Sequence, residues 1–387
     1  MGMRTVTLGE ICRFEYGNNL PERDRKSGDV AVYGLNGIVG RHDSALTKGP
    51  TIIVGRKGSI GQVAFSTTPC WPIDTTYYID GSLTSCDLEW LALLLRGLPL
   101  SNLNKASGVP GLNRDDVYAL RVATPNLTEQ RRIAARLNAQ LAAVEQARQA
   151  AQAQLVETDA LQLAIYHDAF AAIVPVAVPP TFEPAPAGWH WTKLGDIAQL
   201  ESGHTPSRSR PDWWGGDISW LSLTEIRALD GRWVDETQIR TNAAGIANSS
   251  ARILPLGTVC FSRTASVGFV AIIGQPMATS QDFANWVCGD ELEPEFLMHA
   301  LIRSRQELRA IATGATHHTI YMPALASFHL CLPGRPTQQR IVASLKQQLA
   351  AIHQMRAAAQ TRLAEIKALP ARLLAQAFNS TDEGTSP

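Results

Sequence analysis

Residues 128–170 read TEQRRIAARLNAQLAAVEQARQAAQAQLVETDALQLAIYHDAF. The run holds no Gly and no Pro. It is rich in Ala, Gln, Leu and Arg, and its apolar residues Ile133, Leu137, Leu141, Val144, Ala151 and Leu155 have the spacing of a narrow seam on one long helix. The stretch occurs twice. In 337–378, Ile341, Leu345, Leu349, Ile352, Ala359 and Leu363 each stand 208 residues after their counterparts. Arg148 and Arg356, which interrupt the seam, are also 208 apart, and the copies close on Ala169-Phe170 and Ala377-Phe378. A register kept from end to end points to a duplicated chain and not to one large domain.

A chain of 387 residues with 45% hydrophobic content predicts two or three domains with sizeable cores. No run of about 18 apolar residues occurs, and Met1-Gly2-Met3-Arg4-Thr5 lacks the apolar core of a signal peptide, so a cytosolic protein without a membrane span is expected. Cys12, Cys70, Cys86, Cys260, Cys288 and Cys331 form no Cys-x-x-Cys pair and have no His at zinc spacing, so they read as buried thiols. With 35 basic and 35 acidic residues the net charge is zero, so any contact with nucleic acid must come from local arrangement of charge.

Residues 1–126 read as short strands and turns: 6–11, 29–39 and 51–54 are β-rich runs punctuated by Gly, and 88–97 is a short helix. The first long helix occupies 127–173, with Asn126 and Glu129 spaced as a capping box. Pro175, Pro179, Pro180, Pro184 and Pro186 bar helix and sheet interior, making 174–188 a linker. A second globular domain then spans 189–334, a second long helix 335–379, and a disordered tail 380–387. Pro370 stands where Gln162 continues the first helix, so the second should kink or end its regular ladder there.

The globular halves correspond more loosely. Trp191-Thr192-Lys193-Leu194-Gly195-Asp196-Ile197 echoes Thr5-Val6-Thr7-Leu8-Gly9-Glu10-Ile11, and residues 55–63 (GRKGSIGQV) stand opposite 262–270 (SRTASVGFV). With the phrases YGLNGIVG (33–40), WPIDT (71–75), GWHW (188–191), GDISWL (216–221) and QQRI (338–341), the chain resembles the specificity subunits of type I restriction-modification systems. The resemblance implies an α+β fold in which two mixed α/β target-recognition domains are separated by two long helices that pair as an antiparallel, pseudo-twofold coiled coil. It also implies a non-catalytic chain that reads a bipartite sequence in double-stranded DNA. Its partners would be two methyltransferase subunits and the restriction subunits, which are translocating nucleases. No cofactor is expected on this chain; S-adenosylmethionine, and ATP and Mg for restriction, belong to those partners.

The physics suits such a task. A helix of about 43 residues is roughly 64 Å long, against about 34 Å for one turn of B-DNA, so paired helices can set the unread spacer between half-sites. Arg148 and Arg356 lie near the helix midpoints and are read as a register pin held apart by snorkelling or by acids such as Glu145, or else as tolerated surface arginines. For DNA contact the leading element is the glycine-bounded turn with Arg56, Lys57 and Gly58, with Arg263 opposite. Glycine lets backbone approach phosphate, and Arg binds guanine bidentately. A solvated hairpin is the competing reading. Arg41 with His42, Lys48, Lys105, Arg114, Arg208, Arg210 and His317 are further candidates.

Other constellations carry less. Gly55-Arg56-Lys57-Gly58 has the form of a KH-type clamp, but the counterpart lacks it, and the Gly-Lys-Ser/Thr ending of a P-loop is missing. His317-His318 has no carboxylate cluster beside it and reads as a loop pair, not a metal site; Glu365-Ile366-Lys367 lies on a helix flank. Trp213-Trp214 reads as core packing, with a wedge against nucleotides as the alternative. An adenine methyltransferase needs a Gly-rich cofactor loop and an Asn/Asp-Pro-Pro-aromatic step, and the sequence has neither. The competing functions are a helical scaffold whose globular modules bind protein or RNA, and a reader for a fused nuclease-methyltransferase.

Overall fold

The computed structural model describes residues 4–34, 36–58, 60–103, 111–179, 182–313 and 318–378. The chain forms two compact units, Met1–Ala153 with Ala359–Pro387, and Gln154–Ala358. The division cuts through both long helices, Leu127–Ala169 and Arg335–Phe378. Each unit therefore owns one mixed domain and half of each helix.

In the first unit the strand Arg4–Thr7 pairs antiparallel with Arg121–Thr124. The chain then turns at once into the short helix Leu8–Ile11, which buries Leu8. The sequence reads 6–11 as one β-rich run. Glu10 ends it by reaching back to the Thr7 N–H at 2.6 Å, a helix-starting contact that wins over strand propensity. A four-stranded sheet follows in the order Glu15–Tyr16, Thr76–Asp80, Thr51–Gly55, Val63–Ser66, beside a three-stranded one of Gly37–His42, Val30–Gly34 and Trp71–Pro72. Against the four-stranded sheet lies the helix Leu88–Gly97. The Asp87 side chain caps it by accepting the Trp90 N–H, and Trp90 to Leu95 are all buried, as an apolar run without a polar face demands.

The second unit repeats the plan. Trp189–Lys193 pairs with His329–Pro333 and leads into the turn helix Leu194–Ile197. A five-stranded sheet runs Ala198–Ser202, Phe283–Cys288, Val259–Ser262, Val270–Ile273, Arg232–Val234. The strands Arg240–Thr241, Trp214–Leu221 and Ala278–Thr279 form its companion, and the helix Pro294–Arg303 packs on the five-stranded sheet. The proline-rich segment is more ordered than a bare linker. Val176–Ala177 pairs with His329–Pro333 as an edge strand, Phe182 lies 4.9 Å from the Trp191 ring, and Trp191 Nε1 donates to the Glu183 carbonyl. Proline is barred from a sheet interior but not from its edge.

The long helices pack by their heptad seams. In the first unit Leu373, Leu374, Ala377 and Phe378 share a core with Ile133, Ala134, Leu137 and Leu141. In the second, Tyr166 and Phe170 share one with Val342, Leu345 and Leu349. In both units the beginning of one helix lies beside the end of the other, so the coiled coil is antiparallel. The second helix runs unbroken through Pro370 to Phe378. It does not end where proline costs it a hydrogen bond, because Leu374, buried one turn on, anchors the last stretch. Of the two seam arginines, Arg148 is gripped by Glu145 on its own helix at 2.7 and 2.8 Å, and Arg356 crosses to Asp159 of the other helix at 2.8 Å. Among the described residues no helix is long and apolar enough to cross a membrane.

Candidate nucleic-acid interface

The glycine-bounded turn and its counterpart at 262–268 share one backbone plan. In the first, Arg56 N–H donates to Thr75 O (3.0 Å), Gly55 N–H to Gln62 O (2.8 Å) and Gly61 N–H to Gly55 O (3.0 Å). In the second, Arg263 N–H donates to Asp282 O (2.8 Å), Ser262 N–H to Phe269 O (2.8 Å) and Gly268 N–H to Ser262 O (2.9 Å), each bond displaced by 207 residues. The guanidinium groups repeat as well. Arg56 donates from Nε and Nη2 to Asp74 O at 3.2 and 2.7 Å, and Arg263 does the same to Gln281 O at 3.1 and 2.8 Å. Both arginines thus brace the turn, with two donors of each fork committed to a carbonyl. The exposed tips are Lys57-Gly58 and Ala265. Gly58 sits at φ +75° and Ala265 at φ +56°, the left-handed region that glycine enters freely and alanine only under strain.

Around these matching turns the surfaces differ. In the first unit Arg56 and Arg114 lie over the same Tyr16 ring, 5.1 and 4.6 Å from its centroid, and Tyr16 is 45% exposed. Beneath it Tyr77 is buried, donates to Leu112 O at 3.0 Å, and has its hydroxyl pKa pushed up to about 12, chiefly by burial. In the second unit Arg208 covers Trp214 and Trp220 at 5.4 and 5.6 Å, and Arg210 covers Trp213 at 4.8 Å. Arg210 also holds Asp212 at 2.7 Å, and that hydrogen bond lowers the Asp212 carboxyl below its usual range. Thr205 donates to the Gln281 side chain, whose backbone carbonyl holds Arg263, so the Arg208 segment is tied to the second turn. Trp213 and Trp214 are half-buried, and only Trp220 is sealed. Arginines laid over aromatic faces, half-buried in the first unit and exposed in the second, present stacking planes and hydrogen-bond forks together, the equipment that reads bases and grips phosphates.

The remaining candidates are dispersed. Arg41 lies exposed on the strand Gly37–His42 and donates to Asp29 O at 2.8 Å. Its neighbour His42 is buried, with Nδ1 accepting the Lys26 N–H, so it offers nothing to a ligand. Lys48 is exposed. Lys105 and His317 lie outside the described residues. Among the described residues no His, Cys, Asp and Glu group could hold a metal ion. Sequence reasoning missed Tyr16, whose signal was only a lone tyrosine beside two turns. It gave no structural role to Gln130, or to Gln338 of the QQRI phrase, buried helix-entry amides that are 208 apart like the seam itself.

A family model described as the type I restriction modification DNA specificity domain matches residues 2–153 and 186–361. The type I restriction enzyme MjaIX specificity subunit of Methanocaldococcus jannaschii is 28% identical over 163 residues, 41% of this chain and 38% of that protein. The HindI specificity subunit of Haemophilus influenzae is 27% identical over 133 residues, 34% of this chain and 28% of that protein. The alignments therefore span well under half the length of these curated relatives. Among solved structures, a chain from a study of complex assembly and conformational transition of the type I R-M system superposes with TM-score 0.75 at 20% identity, covering 97% of both chains. The HsdS subunit of Thermoanaerobacter tengcongensis superposes with TM-score 0.62 at 21% identity, covering 98% of this chain and 97% of that one. Two matching domains on a duplicated helical frame, together with a family model that covers both, place this chain in the type I restriction modification DNA specificity family.

Proposed function

We propose that this chain is the non-catalytic specificity subunit of a type I restriction-modification enzyme and reads a bipartite target in double-stranded DNA. One observation carries the reading: the bracing of the two turns repeats at a constant offset, while the side chains displayed around them are unrelated, tyrosine with Arg56 and Arg114 in one and tryptophans with Arg208 and Arg210 in the other. Two readers of one build but different chemistry suit two unlike half-sites. Domains 1–126 and 189–334 are the readers, and the helices Leu127–Ala169 and Arg335–Phe378 set their separation. Lys57, Gly58, Arg114, Arg208 and Arg210 meet the duplex, with Arg56 and Arg263 holding the turns that present them. Two methyltransferase subunits bind S-adenosylmethionine, and restriction subunits use ATP and Mg. The family match to both domains supports this reading.

The test is to map methylated adenines in a host that expresses the full chain with the methyltransferase encoded beside it. The expected result is one motif with two different halves and a fixed spacer. Tyr16→Ala with Arg114→Ala should relax one half only, and Arg208→Ala with Trp214→Ala the other. A contiguous motif, or variants that change both halves together, would overturn the proposal.

A further inference from the structure

The second turn carries a feature that the first lacks. Three guanidinium groups surround the Phe269 ring: Arg227 at 5.5 Å, Arg305 at 5.3 Å and Arg309 at 5.4 Å from its centroid. Among the described residues one carboxylate meets them, Asp230, which takes both oxygens to Arg305 Nη2 at 2.7 and 2.8 Å. The cluster keeps two positive charges over. Arg309 spends Nε on Val267 O at 2.8 Å, and Arg227 makes one long bond, Nη2 to Ser266 Oγ at 3.4 Å. Both are exposed, and both line a cleft of about 550 Å³ whose wall includes Ser266 and His318. Burial, and then the charges of Arg305 and Arg227, lower the Arg309 pKa, as expected of cations that repel one another.

The shared turn plan can close without cations. Gly61 in the first turn and its counterpart Gly268 both press against the segment after the crossing helix; Gly61 meets Leu100, which is 1% exposed, and Gly268 meets Arg305. An apolar plug closes one turn, and arginines close the other. The surplus cations are therefore an addition to the frame, sited on the turn that stands beside the Arg208 and Arg210 surface.

We propose that Arg227 and Arg309 form a phosphate clamp that grips a backbone phosphodiester of the duplex, with Arg305 and Phe269 as its fixed floor. This rests on the DNA-reading function above and adds to it an asymmetry: the second domain holds DNA by a sequence-independent contact that the first does not build in this way. An arginine fork matches a phosphate in geometry and charge, and an anion in the cleft relieves the mutual repulsion of the three cations.

The test compares wild type, Arg227→Gln, and Arg227→Ala with Arg309→Ala in the full chain. Inorganic phosphate should raise the melting temperature of wild type above that in chloride at equal ionic strength, and should not do so for the double variant. In complex with the methyltransferase, the double variant should bind target and unrelated duplexes about tenfold more weakly, and the slope of log affinity against log salt should fall by roughly 0.9. Arg227→Gln, which gives up only one long bond, should show part of both effects in a folded protein. Unchanged phosphate response and unchanged salt slope in a DNA-binding complex would overturn the clamp and leave the reading function standing. Phosphate stabilisation that is lost in the variants, in a complex that binds no DNA, would overturn the reading function and with it the duplex as ligand. Loss of target binding alone, with unrelated duplex unaffected, would show base readout at these arginines and overturn the phosphate assignment.

Discussion

Gln130 and Gln338 hold the entrances of both long helices by two matching contacts each. Gln338 Nε2 donates to Pro333 O (2.9 Å) and Glu291 O (3.0 Å) while its Oε1 accepts the Glu293 N–H (2.9 Å) at the start of the crossing helix. Gln130 does likewise with Pro125 O and the Asp87 N–H at 2.9 and 2.8 Å. Both amides are buried, so truncation strands partners that water cannot reach. Gln338→Ala should cost about 1–3 kcal/mol, read as a lower urea midpoint with unchanged slope. A second buried group makes stability depend on pH. His299 is 4% exposed, hydrogen-bonds to the Tyr166 hydroxyl at 3.0 Å, and burial depresses its pKa to about 4. The unfolded chain takes up the proton near pH 6.5 and the folded one near 4, so the unfolded state binds more protons between those values. Stability from this site is complete above about pH 6.5 and is lost as pH falls through that window, on the order of 3 kcal/mol in all. His299→Gln should flatten that part of the pH profile, as followed by thermal melting from pH 4 to 7.

At the scale of elements, the seam is a heptad ladder with two irregularities of different weight. Pro370 occupies an interior helical position and is the counterpart of Gln162 in the first helix. Pro370→Gln restores the missing N–H and should raise stability by about 1–3 kcal/mol, seen as slower amide exchange over 363–378. The arginine positions matter less. Arg356 and Asp159 keep 44% and 55% of their side chains exposed, so Arg356→Ala should change the unfolding free energy by under about 1 kcal/mol. A larger loss, with altered helix register, would give that arginine the pinning role that its place in the sequence suggests.

For the whole molecule, connectivity and compactness follow different divisions. The first long helix starts in the first unit, yet Phe170, which directly follows its last residue Ala169, is fully buried in the second against Phe296 at 5.3 Å. The second helix ends with Phe378 edge-on to Trp90 at 6.2 Å in the first unit. Each domain is thus closed by the end of the helix that does not begin in it. Phe170→Ala should cost the second unit about 3–5 kcal/mol and leave the first little changed, which hydrogen exchange resolved by segment would show. Uniform weakening of both would mean that the two units unfold as one.

The sequence by itself determined the duplication, the seam and its register, because a heptad pattern is written in consecutive residues and a constant offset survives divergence. It also determined the correspondence of the glycine-bounded turn and its counterpart. Only the tertiary structure decided what the basic residues touch. Arg56 and Arg263 look like free ligands in sequence, but their forks are taken up by carbonyls 18 residues further along the chain, Asp74 and Gln281. Arg227, Arg305 and Arg309 are unremarked singly and form a charge cluster once folding sets them round one ring. The physical reason is one of range: helix periodicity is local, whereas the free energy of a cation depends on which distant carbonyl, carboxylate or ring the fold places beside it.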